Sequence, residues 1–124
     1  GGALGPYALQ AAIAACHAVP GGSDWRQIAA LYPALFRWEP SPTVALGHAV
    51  ACMETGDLAG AAALLTGLAE DLDGYQPYHA TLADLLRRQG LHAQAAAAYD
   101  HALTLTTAPE DAAFLRKARD GLAV

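Results

Sequence analysis

Apolar residues recur three and four apart along most of this chain, in blocks bounded by proline, glycine or a small polar residue, which predicts a run of amphipathic helices. Pro6 opens the first, which runs to about Ala18 and is closed by Pro20, Gly21 and Gly22. Asp24 with Gln27 makes a capping-box-like start for the second. It carries Trp25, Ile28, Leu31, Leu35 and Trp38 at helical spacing, and both tryptophans are expected to fill the first hairpin. Pro33 removes one main-chain bond there at ~3 kcal/mol, predicting a bend or break near Tyr32. Ser41 and Pro42 cap helix three, which ends at Gly56, and Asp57 caps helix four, which fades in the acidic run Glu70, Asp71, Asp73. Helix five begins near Pro77 and ends at Gly90; helix six runs from about His92 to Thr106. Helix seven starts with Pro109, Glu110 and Asp111, two carboxylates facing the positive helix end. It sets Phe114, Leu115, Ala118 and Leu122 against Arg116, Lys117, Arg119 and Asp120, the layout of an amphipathic cap.

These helices repeat. Gly22, Gly56 and Gly90 stand 34 residues apart, and the same step aligns Ala15, Ala49 and Ala83, then Leu31, Leu65 and Tyr99, then Ala34, Leu68 and Ala102, without a gap. Alanine columns arise easily in an Ala-rich chain. The glycine column, bounded each time by strong helix formers, is what distinguishes the match. A period of 34 belongs to tetratricopeptide repeats. The expected fold is therefore all-α: a tetratricopeptide-like helical-hairpin solenoid of three hairpins (about 6–39, 42–73 and 76–107) plus a C-terminal capping helix (about 109–123), together one domain over residues 1–124. In the third unit Ala83 marks the helix crossing, Gly90 the turn, Ala95 and Ala102 the close-packing positions, and Tyr99 the large wedge.

Composition narrows the function classes. Hydrophobic residues make up 54% of the 124, yet alanine inflates that figure and no stretch approaches 18 apolar residues without a charge or breaker. Seven basic residues against twelve acidic give a net charge of −5. Phosphate neutralisation needs a clustered basic face, so direct nucleic-acid contact by this segment is not expected, and neither is a membrane role. Cys16 and Cys52 sit in apolar helical stretches and read as small core hydrophobes in a reducing cytoplasm. The opening Gly1 to Pro6 has neither an initiator Met nor a secretion-signal layout, which suggests a fragment.

Catalytic chemistry finds no candidate constellation, and no cofactor is implied. His17, His48 and His79 are spaced 31 apart on the first helix of each hairpin, so stacking of those helices would bring the imidazoles together. They occupy different repeat positions, however, without the companion spacings of a metal motif, and partly buried, hydrogen-bonded histidines are the better reading. Repeat proteins bind partners through the surface lined by the first helices of their hairpins. That singles out Tyr75, Tyr78, His79, Asp84, Arg87 and Arg88 as candidate partner-binding residues, with the tyrosines as aromatic anchors. A solvated helix face is the alternative for Asp84, Arg87 and Arg88.

The runs GPYALQAAIAACHA, DWRQIAALYPAL, SPTVALGHAVA, YHATLADLLRRQG and AQAAAAYDHAL, with the Phe114-Leu115 pair, resemble the C-terminal extension of a group of large bacterial extracytoplasmic-function sigma factors. The resemblance covers nearly the whole chain in order. It implies a cytoplasmic, non-catalytic regulatory or protein-interaction domain, placed after promoter-binding sigma regions that this sequence does not contain. It would modulate transcription initiation through contacts with the sigma core in cis, RNA polymerase or a regulator protein. Gly47 and His48, Leu82, and Ala112 with Ala113 depart from the polar residues usual in that family. A free-standing tetratricopeptide-type scaffold unrelated to transcription is the alternative.

Overall fold

A computed structural model describes residues 4–122. Gly1, Gly2 and Ala3 at the start, and Ala123, the expected end of the capping helix, lie outside the described residues. The described chain is all-α: α1 (Pro6–His17), α2 (Trp25–Trp38), α3 (Pro42–Glu54), α4 (Leu58–Leu68), α5 (Gln76–Arg88), α6 (His92–Thr104) and α7 (Pro109–Asp120), with no strand among the described residues. No described helix is long and apolar enough to cross a membrane.

Helix starts follow from local chemistry. Proline occupies the first turn of α1, α3, α5 and α7, where its missing N–H costs nothing. Asp24 accepts from the Gln27 amide at 3.2 Å, Ser41 Oγ from the Val44 amide at 3.3 Å, and Asp57 from the Gly60 amide at 2.9 Å. Each satisfies one of the orphan donors that open a helix. The α2 start is not a reciprocal capping box, because the Asp24 amide donates to the Cys16 carbonyl at 2.8 Å, tying the turn back to α1.

The turns after α1, α3 and α5 use glycine in the left-handed region, with φ of 118° at Gly22, 90° at Gly56 and 80° at Gly90. Two of them have the same bonding. Gly56 and Asp57 donate to the Met53 and Cys52 carbonyls at 3.0 and 2.9 Å; Gly90 and Leu91 donate to Arg87 and Leu86 at 3.0 and 2.9 Å. Every atom of the second set lies 34 residues after its counterpart, and both are Schellman-type closures. The Gly22 amide makes the equivalent bond to Val19 at 3.3 Å, inside a wider loop.

The chain divides into two compact units, one ending at Leu68 and the other starting at Ala69. In the first, each helix of α1 to α4 packs on the next. One cluster is built from branched side chains: Leu9 and Ile13 of α1, Ile28 and Leu35 of α2, with Ala51 of α3. In the second unit α6 packs against both α5 and α7. One core cluster there is mostly alanine, namely Ala83, Ala95, Ala98 and Ala102, with Tyr99 and Leu115 as its large members.

Three expectations change. Helix α2 runs unbroken through Pro33, whose ring is exposed, while Ile28 and Leu35 on either side are buried in the core and hold the helix to its neighbours. Trp38 does not fill the first hairpin: it is 56% exposed and its Nε1 donates to the Leu4 carbonyl at 3.0 Å. Trp25 is half-buried and packs at the edge of that cluster. Phe114 is 69% exposed, so Leu115 alone carries the fully buried contact of α7.

Candidate functional site

The expected contact residues on and before α5 separate into two groups. Tyr75 is 41% exposed, whereas Tyr78 and His79 are 4% and 5% exposed and belong to the interior of the second unit. The expectation that Tyr78 and His79 face a partner does not fit their burial. Burial, aided by the negative charge of Asp73, pushes the Tyr78 hydroxyl above its usual range.

Asp84, Arg87 and Arg88 form one internal network on α5. The Asp84 carboxylate accepts from Arg87 Nε at 3.1 Å and from Arg88 Nε at 3.2 Å, a single acid placed to serve residues three and four positions on. Its hydrogen bond is the main reason the Arg87 guanidinium is held above its usual value. Arg87 also meets the Tyr99 hydroxyl, which burial raises above the ordinary phenol value despite the two nearby arginines. The network thus joins the buried wedge residue of α6 to the charged face of α5, where Asp84, Arg87 and Arg88 remain partly exposed.

The histidines of the first helices of the three hairpins find separate partners. His17 Nδ1 hydrogen-bonds Ser23 Oγ at 2.9 Å, and its ring meets the Trp25 ring edge-on at 5.1 Å between centroids. His48 stacks on Tyr32, with centroids 6.0 Å apart and planes 10° from parallel. Burial holds its pKa below the ordinary imidazole value, partly offset by Asp57. Gly47 explains the closeness of this pair: a Cβ there would lie 2.6 Å from the Tyr32 hydroxyl oxygen. Gly47 and His48 thus belong to one local arrangement in which Tyr32 of α2 closes over the bare backbone of α3.

His79 has a different neighbour. The His79 and His101 ring centroids are 3.8 Å apart with planes tilted 35°. Both face an open recess of about 460 Å³ lined also by Ala69, Asp73, Leu82 and Ala98. His79 Nε2 lies 2.6 Å from the main-chain oxygen of Asp73, an acceptor, so Nε2 carries the proton. Leu72, buried beside Asp73, anchors that loop. A ring nitrogen of each histidine and a carboxylate oxygen of Asp73 lie within 4.8 Å of one another. Sequence reasoning passed over His101 and saw Asp73 only as part of the acidic run in which helix four fades. One signal was available: His79 and His101 each stand eleven residues from Gly90, and a hairpin folded at that glycine brings such positions opposite each other.

The two cysteines are free thiols. Burial, with the nearby Asp57 charge, pushes the Cys52 thiol up and makes it a poor nucleophile.

Comparison with known proteins finds one relative of note. The chain is 43% identical over 122 residues to the uncharacterized protein R00370 of Rhizobium meliloti (strain 1021). The match covers 96% of this chain and 29% of that protein's length. No protein-family model matches the sequence. No solved structure matches it either.

Proposed function

We propose that this chain is a tetratricopeptide-like, protein-binding repeat module that regulates a larger bacterial transcription protein of the extracytoplasmic-function sigma class. It acts by docking and not by catalysis. The observation that carries the repeat reading is the recurrence of left-handed glycines at 22, 56 and 90, with main-chain bonds at the last two repeating atom for atom after 34 residues. Chance alignment of alanines would not reproduce turn geometry. The resemblance of the GPYALQAAIAACHA and YHATLADLLRRQG runs supports the sigma assignment. A bacterial relative in which the matched stretch forms 29% of the length suits a module that works attached to other regions.

Each unit carries its own exposed large side chains for docking. In the first unit these are Leu4, Tyr7, Phe36 and Trp38; in the second, Tyr75, Leu91 and Phe114. Exposed aromatic residues favour interfaces because they bury large areas at small entropic cost. An acidic module of this kind has a charge complementary to basic promoter-binding regions, so it would hold the sigma core in one of two states, and a regulator shifts that balance by preferring one.

The test is binding of the purified 124-residue chain to purified RNA polymerase core and to sigma promoter-binding regions, followed by transcription from a cognate promoter. Saturable binding that weakens on Trp38→Ala or Phe114→Ala is expected. Absence of binding to either, together with unchanged transcription, overturns the sigma reading.

A further inference from the structure

We propose that Asp73, His79 and His101 bind a divalent transition-metal ion in the recess between α5 and α6. Two imidazoles and one carboxylate form a ligand set of borderline softness, suited to zinc, cobalt or nickel and poorly suited to calcium or magnesium. Three different pieces of backbone supply it: the loop pinned by Leu72, the first half of α5, and the last turn of α6.

The geometry has the features of a prepared site. His79 is buried at the floor of the recess, and its Nε2–H donates to the Asp73 main-chain oxygen at 2.6 Å. An imidazole held through one nitrogen by a carbonyl offers its other nitrogen in a fixed orientation, as metal-ligating histidines do. Asp73 therefore orients one ligand through its main chain and supplies another through its side chain. One ring nitrogen of each histidine and a carboxylate oxygen of Asp73 already lie within 4.8 Å of one another. A tetrahedral ion with bonds near 2.0–2.1 Å needs ligand atoms about 3.3 Å apart, so closure takes shifts of ~1 Å. Asp73 and His101 are exposed and free to make them. The remaining coordination position faces the recess and takes water.

Cobalt titration of the tag-free 124-residue chain, followed by visible absorption and by native mass spectrometry, tests this. One Co²⁺ per chain is expected, with the intense d–d bands of four-coordinate cobalt. His101→Ala and Asp73→Asn each remove a ligand from an exposed position, so far-UV circular dichroism should stay unchanged while affinity falls at least ~10-fold. His92→Gln, at the start of the same α6, should bind as the parent does. Failure to bind cobalt at millimolar concentration overturns the site, as does equal binding by the parent and both ligand variants.

Discussion

Two helix contacts, α1 on α2 in the first unit and α5 on α6 in the second, are packed in opposite ways. In the first, branched side chains from α1 and α2 fill the space between the helices, and at Gly47 the Tyr32 ring reaches the bare backbone of α3. In the second, alanines line the contact between α5 and α6, and a single large ring, Tyr99, is wedged among them. Alanine buries little apolar area per residue, but it lets helices approach closely and keeps helix propensity high. A core of branched residues is therefore vulnerable to loss of volume, and a core of alanines to its gain.

Truncation should separate the units most clearly. Ile28→Ala in the first unit should cost about 2–5 kcal/mol, read by urea denaturation, because Ile28 is completely buried and few neighbours can collapse into the gap. The reverse change belongs to the second unit: Ala95→Leu should cost roughly 1–3 kcal/mol by forcing α5 and α6 apart. A tolerated leucine at 95 would show that the alanine contact is looser than its burial indicates. Gly47→Ala transplants that overpacking into the first unit. It should cost about 1–2 kcal/mol, despite the better helix propensity of alanine, by driving Tyr32 off α3.

Smaller effects sharpen the electrostatic side of the contrast. His48 resists protonation in the folded chain, so the unfolded chain takes up the proton first as acid is added. Stability from this group is full above the unfolded value near 6.5 and drains as pH falls through the lower folded value. His48→Gln should flatten that acid limb in thermal melts between pH 7 and 5. A limb of unchanged steepness would assign the acid sensitivity elsewhere. Least of all, Asp84→Asn should cost below ~1 kcal/mol, since its bonds to Arg87 and Arg88 are partly exposed and screened.

Much of the fold was legible because its signals are local. Proline in the first turn, a side chain accepting from an amide three residues on, and glycine after the last turn each act within a few residues, and they marked most helix ends to within two positions. Facing was harder to read, because helical periodicity says which residues share a stripe and not how wide the buried sector is. Phe114 and Leu115 are neighbours, and only Leu115 reaches the α6 side. Tyr78 and His79 looked like surface anchors beside Tyr75, yet the polypeptide enters α5 between them, with Tyr75 before the helix and the other two on its inner face. Pro33 shows a further limit: propensity counts the lost hydrogen bond, while the burial of Ile28 and Leu35 that outweighs it is a tertiary matter. The pairing of His79 with His101 depends on how α5 crosses α6, so only the position of Gly90 hinted at it.

The placement of the indoles has an optical consequence. Both tryptophans of the chain, Trp25 and Trp38, lie in α2, and the second unit has none. Fluorescence excited at the red edge of the protein band therefore reports the first unit alone, while ellipticity reports both. Trp38 is wet and tethered by its Nε1 to the Leu4 carbonyl, so its emission should redden further when that bond lets go, whereas Trp25 is half-buried with its ring edge-on to His17. The chain thus carries its own asymmetric dye, and any lag between emission and ellipticity in a melt would show the two halves parting company.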